Sequence, residues 1–374
     1  MFIKIASWTG ILEHIRSTIK RDLRETLQPV RGDVEGLQKQ LQAMQKQLDA
    51  GQKRVDGLRK QLDRAETTIA GLAEQSARAD RIASQAKSIL RLNDSHRDLL
   101  ARVDAMLDET RIIAHVEQAI AAAPLHTDPY PHIVVENLLP KDFYDLLRKA
   151  IPPPAFFGDL DPIKQNLRTP MEFGPELSVK VLGFLDDVIA RRAIPPAVIR
   201  KFDDPLQKHY DVIFGRAFRD RAKRMAQSVS AGRVMLRRPG YHLAPHRDPK
   251  RSMLTCLMYF AGSKDSDAYG TDIFRVVDDR EATYTQTYYP EQNGSRCELV
   301  KRVPFRPNTM LVFLNSTGAH GATIPDDAPA TLERYSYQCY IGPSQDALGE
   351  LIKDLPPERQ AMWRSKNEVE SQYA

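Results

Sequence analysis

A chain of 374 residues that is 42% hydrophobic and 28% charged holds enough apolar side chains for a packed core and is long enough for about two domains, which excludes wholesale disorder. Its 54 basic residues are nearly matched by 49 acidic ones, so the net charge is only +5 and nucleic acid is not an expected partner. Three cysteines without CxxC spacing, Cys256, Cys297 and Cys339, fit free thiols in a reducing cytoplasm, and no run approaches the roughly 18 apolar residues of a membrane span.

Residues 1–30 open with Phe2, Ile5, Trp8, Leu12, Ile15 and Ile19 at three- and four-residue spacing among Lys4, Arg16, Lys20 and Arg21. This predicts an amphipathic helix, suited over residues 1–21 either to a partner helix or to an anionic membrane surface. From residue 31 to 123 the chain reads as a helical oligomerisation region. Val34, Leu41, Leu48, Val55, Leu62 and Ile69 occupy one seam position of a heptad, and Leu37, Met44, Leu58, Ala65 and Leu72 the other, interrupted only by Gly51. So many heptads predict a coiled coil, hence self-association as a dimer or trimer, with a strong segment on the order of 60 Å long. Beyond Leu72 the seam turns to Ser76, Ala79, Ala83 and Ala86, where the helix continues with weaker packing.

The composition changes at about residue 124, where three prolines within 124–132 end the helix. Ile133–Val135 then reads as a strand and Leu139–Ile151 as a helix, while 152–232, rich in Pro and charge, reads as helices and loops. Short β-rich runs follow at 233–237, 253–260, 271–277, 296–303, 309–314 and 334–341, separated by turn residues at 238–240, 268–270 and 306–308. Strands of this spacing predict a barrel or jelly roll with helices packed outside it. The tail, 344–374, reads as helical, polar and peripheral.

Chemistry concentrates in ProGlyTyrHisLeuAlaProHisArgAsp, 239–248. His246 and Asp248 are one residue apart, so on extended backbone both point to the same side. His320 follows an apolar strand and the loop AsnSerThrGlyAla. Two imidazoles and one carboxylate on one side of an ion leave the opposite positions open, as in non-haem Fe(II) oxygenases. Fourteen residues after His320 comes ArgTyrSer, 334–336. The guanidinium of Arg334 suits a bidentate carboxylate, and Ser336, on the same side of a strand, adds a hydroxyl.

Residues 128–342 thereby resemble the 2-oxoglutarate/Fe(II) dioxygenase superfamily, nearest in pattern to its prolyl-4-hydroxylase-like branch. The resemblance is carried by ProTyrProHisIleValValGluAsnLeuLeuPro (129–140), the string 239–248, ThrCysLeuMetTyrPhe (255–260), GlyThrAspIlePhe (270–274) and ProAsnThrMetLeuValPhe (307–313). It implies an α+β chain whose region 124–343 is a double-stranded β-helix, a jelly roll with flanking helices, preceded by the coiled coil. It further implies Fe(II) held by His246, Asp248 and His320, 2-oxoglutarate as cosubstrate with its distal carboxylate on Arg334 and Ser336, O₂ as co-reactant, and hydroxylation as the outcome. By the same resemblance Tyr259 helps bind the cosubstrate carboxylate. Where the branch often has a Tyr nine residues before the first metal histidine, this chain has Arg237, which stands at the oxoacid end; ProAspAspAlaPro, 325–329, reads as a loop insertion.

HisArgAsp at 246–248 also has the form of a kinase catalytic loop, but Met253 stands where that loop requires Asn and no Gly-rich phosphate loop accompanies it. For the substrate, segment 278–302 supplies polar and aromatic residues, among them Tyr284, Tyr288 and Tyr289, able to stack on a sugar ring, clamp a peptide or simply pack. The long spacer and amphipathic start suit work near a membrane surface on a glycan or nucleotide-sugar. A protein side chain of prolyl type and a small metabolite are the other substrate classes, and a non-catalytic coiled-coil scaffold bearing a metal-free β-domain is the reading of a different kind.

Overall fold

The computed structural model describes residues 3–158, 161–230, 232–262, 265–279 and 286–363, with the backbone alone for 3–9 and 11. The chain divides into two compact units, Met1–Asp80 and Arg81–Ala374. The first is helical over all its described residues. Helix α1, Ile3–Ser95, runs through it without a break, including Pro29. A proline inside a helix removes one backbone donor, and on a helix exposed on all sides water can serve the carbonyl left behind. The heptad residues lie open along it: Leu37 is 64% exposed, Leu41 68%, Leu58 64% and Leu72 60%. Leu12, Ile15 and Ile19 of the amphipathic start are exposed as well, whereas Phe2 and the side chains of Ile5 and Trp8 lie outside the described residues.

In the second unit α2 (Arg97–Leu100), α3 (Val103–Met106) and α4 (Glu109–Ala122) precede strand β1 (His132–Val135) and helix α5 (Lys141–Ala150). Strand β2 (Lys164–Arg168) and helix α6 (Glu176–Phe184) follow, then a π-helical stretch Leu185–Ala193 and α7 (Ile194–Lys201), α8 (Asp203–Ile213) and α9 (Arg219–Lys223). Next come β3 (Gln227–Val229), β4 (Arg233–Arg237), β5 (His242–His246), β6 (Leu254–Phe260), β7 (Thr271–Val277), β8 (Arg296–Val303), β9 (Pro307–Leu314), β10 (Ala319–Thr323) and β11 (Arg334–Pro343). Helices α10 (Gln345–Lys353) and α11 (Pro357–Ala361) complete the described chain.

The strands make two antiparallel sheets. The larger has the order β1-β9-β6-β11-β4-β2, with β3 also on β11; the smaller is β5-β10-β7-β8. Strand periodicity sorts the larger sheet's residues into two sides. Cys256, Met258, Phe260, Tyr337, Cys339 and Ile341 join the helices in the main core, while Leu257, Tyr259, Leu311 and Phe313 meet Ile273 and Val303 of the smaller sheet in a second core between the sheets. The arrangement is jelly-roll-like: helices cover the outside of one sheet, and the space between the sheets remains for side chains that do not fill it.

Three differences from the sequence reading have physical causes. Segment 152–232 contains two strands; β2, LysGlnAsnLeuArg, is a polar edge strand whose place comes from its pairing with β4 rather than from an apolar pattern. Strand β10, AlaHisGlyAlaThr, is hidden by its small residues and is held by pairing with β5 and β7. The tail is less peripheral than its polarity predicts, because Leu348, Leu351 and Leu355 enter the main core and Trp363 stacks on Phe214 at 5.2 Å. Residues 364–374 lie outside the described residues.

Candidate metal centre and cosubstrate pocket

Pairing of β5 with β10 sets His246 directly opposite His320. Asp248 follows the end of β5, and one donor atom from each of the three residues lies within 4.8 Å of the others. The Asp248 Oδ1 is 3.8 Å from His246 Nε2, and its Oδ2 is 3.6 Å from His320 Nε2. All three side chains are buried. The separations are too long for direct hydrogen bonds yet short enough for all three to face one point between them.

Each donor is fixed from behind. His246 Nδ1 is 3.0 Å from the Ala244 carbonyl, which only accepts, so the proton sits on Nδ1 and the Nε2 lone pair faces the centre. The Asp248 carboxylate accepts from the Thr255 hydroxyl at 2.6 Å and the Tyr340 hydroxyl at 3.2 Å, while its backbone carbonyl accepts from Asn315 Nδ2 at 2.6 Å. His320 packs against the Phe313 ring at 4.5 Å. Burial, with His246 beside it, pushes the His320 imidazole down to about 3, and burial likewise lowers His246, so both stay neutral and able to donate a lone pair.

Arg247, between the two ligands of the HxD string, is 2% exposed and points away from them. Its guanidinium donates to the carbonyls of Gly318 at 2.9 Å and Thr317 at 2.5 Å and pairs with Asp279 at 2.5 Å, while its backbone exchanges two hydrogen bonds with Tyr288. The loop leading into His320 is seated from the other side by Tyr130, whose hydroxyl donates to the Ala319 carbonyl at 3.1 Å. Gly318 permits this approach, since a Cβ there would fall 1.7 Å from the Tyr130 ring.

A cavity of about 190 Å³ opens beside the triad. Strand β11 lines it with Arg334, Ser336, Gln338 and Tyr340, alternate residues on one side of the sheet, and β4 adds Arg233, Met235 and Arg237. Arg334 is buried; its Nε donates to the Tyr269 carbonyl at 2.5 Å and its guanidinium stacks over Phe305 and Tyr259. Among the described residues no carboxylate pairs with it, and the buried Ser336 hydroxyl has no hydrogen-bond partner. A buried cation without an anion and an orphaned hydroxyl two residues on, both facing a cavity, are what a carboxylate ligand would satisfy.

The remaining expected residues fall as follows. Tyr259 contributes its ring under Arg334, while its hydroxyl donates to Thr271 Oγ1 at 2.8 Å. Arg237 lines the cavity but donates to the Gln165 and Leu236 carbonyls and to Asn166 Oδ1. Tyr289 lines the cavity 5.7 Å from the His246 ring, Tyr288 is buried, and Tyr284 lies outside the described residues. Sequence reasoning passed over Thr255, Tyr340, Asn315, Arg247, Arg233 and Lys164. Tyr340 and Arg233 carried a signal, Tyr340 at even spacing from Arg334 and Ser336 on one strand and Arg233 at even spacing from Arg237 on another.

No protein-family model matches the chain, and no curated protein does. Among solved structures it is similar to a prolyl-4-hydroxylase from Pseudomonas putida, at 13% identity and a TM-score of 0.33, covering 62% of this chain and 99% of that one. It is also similar to HygX from Streptomyces hygroscopicus with nickel and 2-oxoglutarate bound, at 12% identity and a TM-score of 0.29, covering 57% of this chain and 83% of that one. At these scores the assignment of the site rests on its own side chains.

Proposed function

We propose that this chain is a non-haem Fe(II)- and 2-oxoglutarate-dependent oxygenase, a hydroxylase acting on a glycan or nucleotide-sugar type of substrate. One observation carries the cofactor chemistry: a two-histidine, one-carboxylate cluster shares a cavity with a buried arginine that has no carboxylate partner among the described residues. In this reading His246, Asp248 and His320 hold the ion, and Arg334 with Ser336 holds the distal carboxylate of the cosubstrate. The bound ion and cosubstrate supply oxidative decarboxylation to succinate and CO₂ and insertion of oxygen into a substrate C–H bond.

The chain's own part is positional. Thr255 and Tyr340 orient the carboxylate, the Ala244 carbonyl selects the His246 tautomer, and the apolar walls formed by Met235 and Leu257 restrict water. Tyr289 at the cavity is suited to lie along a sugar ring. The open heptad stripe of α1 supports self-association as a dimer or trimer, which would hold several such sites together. Succinate release by anaerobically loaded protein, measured across substrate classes on adding O₂, tests the reading. His246→Ala is expected to lower it at least about a hundredfold with the fold intact; full activity in that variant would remove His246 from the metal site.

A further inference from the structure

The cavity beside the triad is more cationic than its cosubstrate requires. Among the described residues, Lys164, Arg233, Arg237 and Arg334 line it together with the carboxylate of Asp248. In the oxygenase reading, on which this inference rests, a divalent ion and a dicarboxylate cancel each other and leave the described lining cationic. Arg334 is assigned to the cosubstrate and Arg237 is held by the Gln165 and Leu236 carbonyls and Asn166. Two cations remain without an assigned task.

Arg233 lies on the same side of β4 as Arg237, four residues earlier, opposite Gln338 rather than Arg334. It is therefore displaced along the sheet, on the order of 13 Å from Arg237 at strand spacing, to the end of the cavity where Tyr340 meets Asp248. Its Nε and Nη2 donate to Gln338 Oε1 and its Nη2 to the Tyr340 hydroxyl, both neutral acceptors. Lys164 stands on the edge strand β2, beside Arg237, and is exposed at the cavity's rim. Neither Arg233 nor Lys164 pairs with any carboxylate among the described residues, and Arg233 Nη1 makes no hydrogen bond among them. Cations focused in a partly enclosed cavity without counter-charges select for an anion.

We infer that the substrate carries an oxyanion, a phosphate or a carboxylate, that Arg233 receives it at the metal end of the cavity, and that Lys164 at the rim draws it in. The pair thus sets substrate class, apart from the residues that hold the ion and cosubstrate.

The test uses full-length protein loaded anaerobically with Fe(II) and 2-oxoglutarate, its loading read from the visible charge-transfer band of that complex. Calorimetric titration then compares glucose 1-phosphate, glucuronate and glucose as probes at low ionic strength. At least one charged sugar is expected to bind about tenfold or more tighter than glucose, with the advantage shrinking as salt is added. The tighter of the two anions identifies phosphate or carboxylate as the group received. Arg233→Met and Lys164→Met, each compared at its own loading, are expected to lose most of that preference, and Arg233→Lys to retain part of it. Loaded wild-type protein that shows no charge preference, including binding of neither anion, overturns the inference, as does a preference that survives both Met substitutions. Absence of the band in wild-type protein is a different failure and removes the oxygenase reading beneath it.

Discussion

Thr255→Val isolates what holds the carboxylate of the triad. The side chain is fully buried, and its hydroxyl gives Asp248 Oδ2 the shorter of that group's two side-chain hydrogen bonds, 2.6 Å against 3.2 Å from Tyr340. Valine keeps the branched shape and removes only the donor. A hydrogen bond to an ionised group contributes about 1.5–3 kcal/mol, and each 1.4 kcal/mol or so is tenfold in a binding constant. Divalent-ion affinity is therefore expected to fall about 10- to 100-fold, the span usual for groups that orient metal ligands. Tyr340→Phe, removing the longer bond, is expected at or below the low end of that span. Competition of Co(II) between protein and a chromophoric chelator measures the constant, with circular dichroism reporting the fold. An affinity unchanged within about twofold in Thr255→Val would refute the reasoning, because the carboxylate would then owe its orientation to something other than this hydroxyl.

Acid should destabilise the metal-free protein through its buried histidines. Burial lowers His320 to about 3 and also lowers His246, so as pH falls below the ordinary histidine value near 6.5 the unfolded chain takes up protons first. Stability should be flat above that value and drop below it by up to about 1.4 kcal/mol per pH unit for each such group; urea midpoints in the presence of chelator measure it, and His320→Gln should flatten the slope. Gly318→Ala should destabilise by about 1–3 kcal/mol through overlap with Tyr130, and a double-mutant cycle with Tyr130→Ala should show less than additive loss by thermal unfolding. Leu41→Asp with Leu48→Asp, on the exposed seam, should return light-scattering mass to that of one 42.4 kDa chain, and an unchanged oligomer would place association elsewhere.

The parts of this molecule legible in the sequence are those whose signal is local. The heptad of α1 is a repeat of one element with itself, and β6, β9 and β11 are continuous apolar or alternating runs, so each is read from its own residues. His246 and Asp248 share a strand end, and Arg334 and Ser336 share a strand side; spacing alone conveys that. What spacing does not convey is register between distant strands. The hydroxyls on Asp248 come from Thr255 on β6 and Tyr340 on β11, which stand opposite each other only because of how those strands pair. Arg233 and Lys164 enter the cavity for the same reason, through β4 and the polar edge strand β2, whose LysGlnAsnLeuArg has none of the features that mark a strand in isolation. Tyr288 and Tyr289 show the limit from the other direction: adjacent and chemically identical, they have different fates because Tyr288 is held by an isolated backbone bridge to Arg247 while Tyr289 lines the cavity.

The burial of Arg247 has a thermodynamic consequence for ion uptake. One guanidinium ties the segment bearing His246 and Asp248 to the Thr317 and Gly318 carbonyls just ahead of His320. Moving the two segments apart would break both of these hydrogen bonds from a buried guanidinium, so the mouth of the triad is braced at its ligand-to-ligand width before any ion arrives. Capture then requires little ordering of the chain, and the entropy of closure, which in a floppy site is subtracted from affinity, has been met during folding. An Arg247→Met protein would therefore lose ion affinity chiefly through a larger unfavourable entropy of binding, although no atom of that side chain faces the ion.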